Sequence, residues 1–193
     1  VPVKAERDAQ LRYGDWVQGN RARVDGVGNG RIGYLHLRAM GPNDIAHFVR
    51  EFYANVDREG LVIDVRRNRG GNIDSWVLAT LLRRAWAFWQ PARGTPYTNM
   101  QQTFRGHVAV LVDPLTYSDG ETFAAGIKAL KLGPVIGMRT AGAGIWLSDR
   151  NRLLDKGLAR VAEYAQYDRQ GRWLIEGKGV APDIEVDNPP HAT

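Results

Sequence analysis

The chain has no cysteine among its 193 residues, which excludes disulfide bonds and thiolate metal sites. This absence fits a reducing compartment, and we expect the protein in the cytoplasm. No apolar run approaches the length of a membrane span, and residues 1–4 lack the apolar core of a signal peptide. We therefore expect no membrane partner. Because the chain begins without methionine, we expect a fragment or a processed product.

Histidine is scarce, and none of the four histidines has the setting of a general base. Each occupies a position typical of a structural or solvent-exposed side chain. These positions are a predicted strand (His36), the polar face of a predicted helix (His47), the start of a strand (His107) and the C-terminal tail (His191). The sequence thus encodes no convincing base of its own.

Positive charge is in excess, with a formal net charge of +5 and a pI near 9.7, and this raises a nucleic-acid hypothesis. The arginines do not form one block. They occur in scattered pairs such as Arg66-Arg67 and Arg83-Arg84, with carboxylates between them. No RNA-recognition signature or zinc-finger spacing accompanies them. We predict solvated surface and intersubunit contacts, and no nucleic-acid partner.

Strand and helix patterns alternate along most of the chain, which predicts parallel strands with right-handed crossovers in an α/β layer fold. Residues 1–30 are polar and rich in glycine, and we predict a connector from an upstream domain. After residue 142 the pattern changes to antiparallel strands joined by tight turns. The predicted elements are strands 31–37, 61–65, 107–112 and 135–137, helices 42–56, 73–88 and 118–130, and antiparallel strands 152–154, 158–167 and 172–176.

Ser118 lies where a predicted strand, after a proline-containing turn, meets a predicted helix. Unpaired N–H groups and the positive end of the helix dipole favour a developing negative charge at such a position. A serine nucleophile needs this field, because acyl transfer builds an oxyanion beside it. The alternative is a helix cap, since Ser118 and Glu121 have the spacing of a capping box.

A glycine pair, Gly70-Gly71, follows the strand predicted over 61–65. Ligands of open α/β sheets bind at the carboxyl ends of strands, and glycine lets backbone N–H groups approach them closely. Gly71 could therefore donate its N–H to an oxyanion at Ser118, together with the backbone N–H of Asp119. A plain turn is the alternative.

Five segments in order resemble those of the tail-specific (C-terminal processing) serine peptidases and, more closely, the tricorn proteases. They are 61–65, 66–71, 117–120, 137–140 and 177–186, and the similarity extends over about 11–190. The predicted fold class is α/β, a parallel-sheet layered β-α superhelix of the ClpP/crotonase-like type with an antiparallel C-terminal portion. The resemblance makes 31–193 the serine peptidase core and 1–30 a connector from a PDZ-like domain.

Two positions distinguish the subfamilies that the chain resembles. Tail-specific peptidases use a Ser–Lys dyad, and here Ala143 occupies the lysine position, so a Ser–Lys mechanism is excluded. Glu176 replaces the glutamine that supports this lysine, as in the Ser–His–Ser–Glu tetrad of tricorn-type enzymes. The resemblance implies Ser118 and Glu176 as catalytic residues. Glu163, another carboxylate in a strand pattern, is our second choice, and a structural pair with Arg160 or Lys156 is the alternative for it. The histidine and second serine would come from an upstream segment, so this chain alone would be nearly inactive.

The resemblance also implies peptide substrates, an acyl-enzyme, no metal or cofactor, contacts with upstream domains of the same polypeptide, and a homo-hexamer. Gly70 and Trp89 are the predicted substrate-binding residues. Trp89 stands where archaeal tricorn sequences have an acidic residue, and its character favours apolar or aromatic P1 groups. Packing of Trp89 against a neighbour is the alternative. The alternative function is a non-catalytic module that binds peptides or hydrophobic ligands on the same scaffold.

Overall fold

The computed structural model describes residues 4–187 and contains four helices and nine strands within that range. In chain order they are α1 (Ala5–Val27), β1 (Ile32–His36), α2 (Pro42–Ala54), β2 (Gly60–Asp64), α3 (Asp74–Leu82), β3 (Ala87–Trp89), β4 (Tyr97–Asn99), β5 (His107–Val112), α4 (Asp119–Ala129), β6 (Val135–Gly137), β7 (Trp146–Leu147), β8 (Ala162–Tyr164) and β9 (Ile184–Glu185).

The central sheet has five strands in the order β1-β2-β5-β6-β9, and every pair in it is parallel. This agrees with the predicted α/β class. Strand β5 alternates between buried and less buried residues, and the core forms between the sheet and helices α2, α3 and α4. Fully buried apolar side chains of this core include Leu35, Phe52, Ile63, Val77, Val110, Phe123 and Ile127.

Helix α1 was not predicted, because it lacks an apolar stripe and Val17 is its one buried residue. It packs against β1 through aromatic and polar contacts. The Tyr13 hydroxyl lies 2.8 Å from Nδ1 of His36, and the Trp16 ring meets the His36 ring edge-on at 4.9 Å. The role of 1–30 as a connector stays a prediction.

Four strands and two helices fall within two residues of their predicted bounds, but the helix predicted over 73–88 is wrong beyond residue 82. The chain leaves the helix at Arg83, which has extended backbone angles. The aromatic segment that follows forms β3 and pairs antiparallel with β4, as its high strand propensity favours.

The C-terminal portion is antiparallel, as predicted, but with far shorter strands. Of the predicted pairings, only isolated bridges remain among the described residues, Arg152 to Leu158 and Tyr167 to Trp173. Strand β8 lies within the strand predicted over 158–167, but its partner β7 was not predicted. Strand β9 returns to the parallel sheet beside β6 and was not predicted. None of the helices in the described range combines the length and apolar character needed to cross a membrane.

Candidate active site

Ser118 precedes helix α4 as its N-cap residue, with a φ of 52° and a ψ of −118°. A positive φ is uncommon for a residue with a side chain, and it often marks a functional position. The Ser118 N–H donates to Oε2 of Glu121 at 3.0 Å, which is half of the expected capping box. The Ser118 side chain makes no cap hydrogen bond and no other hydrogen bond within 4–187. Its hydroxyl is therefore available for chemistry.

Gly70 and Gly71 lie beside this serine on the loop after β2. A Cβ at Gly70 would come within 2.6 Å of the Ser118 Cβ, and its φ is +78°. A Cβ at Gly71, where φ is +152°, would overlap the carbonyl oxygen of Met40. Only glycine fits either position without displacing the backbone.

The backbone N–H of Gly71 has no hydrogen-bond partner among the described residues. Its neighbours are engaged: the Met40 N–H donates to the Gly70 carbonyl and the Asn72 N–H to the Met40 carbonyl, both at 2.8 Å. These two bonds form a parallel bridge that leaves the Gly71 N–H turned away from Met40. One unpaired donor therefore lies beside the serine.

Asp119 contributes a second such donor, because its backbone N–H also has no partner within 4–187. Asp119 is 7% exposed, and Oδ2 of its carboxylate accepts the N–H groups of Ile73 at 2.7 Å and Asp74 at 3.0 Å. Burial, together with the smaller contribution of the neighbouring Asp74, raises the pKa of Asp119 to about 7. The side chain of Asp119 thus ties the start of α3 to the start of α4.

Glu121 is a site residue whose long-range role the sequence did not indicate. It is 0% exposed, and its carboxylate accepts four hydrogen bonds. One comes from Ser118. The others come from the Thr140 hydroxyl at 2.6 Å, the Gly142 N–H at 2.6 Å and the Ala143 N–H at 2.9 Å. Glu121 therefore fixes segment 140–143 against Ser118, the predicted nucleophile.

Glu176 is exposed, and one of its two carboxylate oxygens is engaged. Oε2 accepts the N–H groups of Gly144 at 2.8 Å and Ile145 at 3.0 Å, whereas Oε1 has no partner among the described residues. Glu163, the second choice, accepts a hydrogen bond from the hydroxyl of Ser148 instead.

A cavity of about 260 Å³ brings several of these residues together. Of the predicted site residues, Ser118, Asp119 and Gly71 line it. Gly70 does not line it but lies next to Ser118. Glu176 does not line it either, and it accepts hydrogen bonds from two lining residues, Gly144 and Ile145. Trp89 is 53% exposed on β3 and does not line it, so its substrate-binding role stays a prediction. The lining residues that were not predicted are Asn72, Asp74, Thr122, Gly144, Ile145, Trp146, Tyr164, Ala165 and Gln166.

None of the three histidines within residues 4–187 lines this cavity, so none of them supplies a base to it. His36 is buried with its Nε2 2.9 Å from the Arg66 carbonyl, and burial lowers its pKa. His47 contacts the His36 carbonyl, and His107 opens β5 at the far end of that strand. His191 lies outside the described residues.

Comparison with known proteins points to one family. The model of peptidase family S41 matches residues 31–186. Tricorn protease homolog 1 of Streptomyces coelicolor is 39% identical over 190 residues, which are 98% of this chain and 18% of that protein. The tricorn protease of Thermoplasma acidophilum is 33% identical over 184 residues, 95% of this chain and 17% of that protein.

Two solved structures agree with these matches. The crystal structure of the tricorn protease superposes with a TM-score of 0.87 at 32% identity, over 94% of this chain and 18% of that chain. The photosystem II D1 C-terminal processing protease has a TM-score of 0.59 at 26% identity, over 81% and 42%. The chain covers less than a fifth of the length of the two tricorn relatives, from Streptomyces coelicolor and Thermoplasma acidophilum, that are named above.

Proposed function

This chain belongs to peptidase family S41, and from that membership we propose that it is the catalytic core of a tricorn-like serine peptidase, with Ser118 as nucleophile. One observation carries the proposal. The Ser118 hydroxyl, at a helix N-terminus, makes no hydrogen bond within 4–187 and lies beside two backbone N–H groups, those of Gly71 and Asp119, that have no partner there. Acyl transfer requires this combination, because the nucleophile and the donors for the oxyanion must act on the same carbonyl group.

The proposed reaction follows from these groups. The Ser118 Oγ attacks the carbonyl carbon of a peptide bond and its proton passes to a general base. The carbonyl oxygen becomes an oxyanion that accepts hydrogen bonds from the Gly71 and Asp119 N–H groups. The base then gives the proton to the departing amine, which leaves an acyl-enzyme, and water releases the acid.

We infer that the base comes from outside the described residues. Ala143 cannot accept a proton, and the residue lies where a tail-specific enzyme has its lysine. The free Oε1 of Glu176 is an acceptor that an incoming histidine or serine from an upstream segment could engage. This arrangement supports Glu176 as the carboxylate that orients the base, because Glu176 is hydrogen-bonded to Gly144 and Ile145 in the wall of the cavity.

Substrates and assembly are part of the same proposal. The substrates are peptides, and the walls of the cavity beside Ser118 include Ile145, Trp146 and Tyr164, which suit an apolar or aromatic side chain. Large aromatic side chains also lie exposed on α3 and β3, among them Trp76 and Phe88. Such a surface is suited to contacts with another copy or with upstream domains, in a homo-hexamer in the cytoplasm.

Labelling with a fluorophosphonate, read by intact mass, tests the proposal. We would use this chain and a longer polypeptide that adds the preceding segment, each with a Ser118→Ala control. Labelling of the longer polypeptide alone, lost in Ser118→Ala, is the expected result. If neither folded protein reacts, the peptidase proposal fails. A non-catalytic peptide-binding module, which the lack of a base within 4–187 favours, then becomes the better explanation.

A further inference from the structure

A second and larger cavity, of about 990 Å³, lies at the carboxyl ends of β1, β2, β5 and β6, with helix α1 along one side. We call it the basic cavity. It shares no lining residue with the cavity that contains Ser118. Ligands of open α/β sheets bind at such ends, and the volume is that of a small-molecule site, about 300–1,000 Å³.

Arginine dominates the polar lining of the basic cavity. The carboxylates of Asp113 and Asp187 also line it. Oδ1 of Asp113 already accepts the N–H groups of Arg67 at 2.9 Å and Leu115 at 3.1 Å. Positive charge is therefore in excess there. The five lining arginines are Arg12, Arg38, Arg66, Arg67 and Arg69.

These arginines differ in how far their charge is neutralised. Arg12 pairs with Asp8 at 2.8 Å and Arg66 with Asp64 at 2.6 Å. Among residues 4–187, Arg38 donates only to the neutral amide oxygen of Gln10, at 2.9 Å. The side chains of Arg67 and Arg69 make no hydrogen bond or ion pair with any of residues 4–187, and both residues are exposed.

Aromatic rings hold two of the guanidinium groups in place. Arg38 lies 4.5 Å from the centre of the Tyr13 ring, and Arg66 lies 5.3 Å from that of Trp16. Stacking of this kind orients the planar guanidinium before a ligand arrives. Apolar side chains form another part of the wall, among them Leu115, Ile136, Met138 and Val186.

We propose that the basic cavity binds a small ligand whose oxyanion group, a phosphate or a carboxylate, is carried on a planar or apolar body. Arg38, Arg67 and Arg69 recognise the oxyanion, because the guanidinium fork matches phosphate and carboxylate geometry. The aromatic rings and the apolar wall take the body. The proposal does not depend on the peptidase function, since no residue of the basic cavity lines the cavity at Ser118.

Isothermal titration calorimetry on the chain, at millimolar concentrations of four probes, tests this inference. The probes are inorganic phosphate, adenosine monophosphate, N-acetylphenylalanine and N-acetylphenylalanine amide. We expect adenosine monophosphate or N-acetylphenylalanine to bind, the amide not to bind, and phosphate alone to bind more weakly. Binding of adenosine monophosphate alone identifies a phosphate ligand, and binding of N-acetylphenylalanine alone identifies a carboxylate ligand.

The double variant Arg67→Gln/Arg69→Gln removes the two unpaired cations, and we expect it to weaken binding by about tenfold or more. The matched control is Arg93→Gln/Arg169→Gln, which removes the same charge from exposed arginines outside the basic cavity. Circular dichroism verifies that both variants are folded. The proposal is overturned if neither organic anion binds, if phosphate binds as tightly as they do, or if the control weakens binding as much.

Discussion

Replacing Glu121 by glutamine tests how the nucleophile and segment 140–143 are held together. The carboxylate is fully buried and accepts hydrogen bonds from four donors, those of Ser118, Thr140, Gly142 and Ala143. Glutamine has the same shape, but one of its two terminal groups is an amide NH₂, which donates and cannot accept. In either orientation of the amide, this group therefore faces two of the donors.

The cost follows from which donors lose their acceptor. With the NH₂ at the Oε1 position, the Thr140 hydroxyl, which already accepts the Val180 N–H, can also accept from the amide, but its own proton and the Gly142 N–H both lose their acceptor. With the NH₂ at the Oε2 position, the N–H groups of Ser118 and Ala143 are both unpaired. Each buried donor left without an acceptor costs about 1–3 kcal/mol, and loss of the charge weakens the bonds that remain. We expect Glu121→Gln to lower the free energy of unfolding by about 2–4 kcal/mol.

Urea unfolding of the chain, followed by circular dichroism and by tryptophan fluorescence, measures this change, provided that the two signals coincide. Glu6→Gln is the matched control, because Glu6 is exposed on α1 and we expect it to change stability by no more than about 0.5 kcal/mol. If Glu121→Gln were as stable as the control, the four hydrogen bonds could not be holding segment 140–143 in place.

Three further predictions concern the same site. Asp119→Asn keeps an acceptor for α3 but cannot ionise. The free energy of unfolding of the wild type should fall as the pH rises from 3.8 to about 7, because the unfolded chain releases this proton first, and the variant should lack that fall. Gly71→Ala should cost about 3 kcal/mol or more in urea unfolding, since its Cβ would overlap the Met40 carbonyl. Glu176→Gln should change stability by less than about 0.5 kcal/mol, because an exposed amide oxygen still accepts both N–H groups, yet slow fluorophosphonate labelling of the longer polypeptide.

Each of these has an outcome that contradicts it. For Asp119→Asn it is a pH profile of stability with the same slope as that of the wild type. For Gly71→Ala the control is Gly19→Ala on α1, where a Cβ meets nothing within 4 Å, and equal stabilities would be the contrary result. For Glu176→Gln, unchanged labelling would remove this carboxylate from the proposed base network.

The parts of the fold that could be predicted from the sequence are those with strong local signals. Strands β5 and β6 are short apolar runs bounded by glycine or proline, and both match their predicted bounds, 107–112 and 135–137. Helix α1 escaped prediction because its contacts with β1 are made by Tyr13 and Trp16 rather than by an apolar stripe. Strand β9 was not predicted because it has only two residues and is recognisable only by its pairing with β6.

The candidate site likewise has features that could be predicted from local sequence patterns and features that could not. The position of Ser118 at a helix start and the glycine loop beside it follow from local patterns, and the structure places both at one cavity. The spacing of Ser118 and Glu121 correctly indicated one local hydrogen bond. It could not indicate the three bonds from Thr140, Gly142 and Ala143, which depend on how the chain after β6 returns to α4. Long-range contacts of this kind leave no periodic signal in the sequence.

Strand β9 follows its partner β6 only after β7 and β8, and this order has a consequence for synthesis. Its residues Ile184 and Glu185 pair with Ile136 and Gly137 of β6, and Asp183 accepts the Val135 N–H at 2.9 Å. Until these residues leave the ribosome, β6 is an open sheet edge with unpaired backbone groups. Nascent chains can pair through such an edge with one another, so this is the stage at which aggregation competes with folding. Three residues near the end of the described chain thus protect the sheet from misassembly.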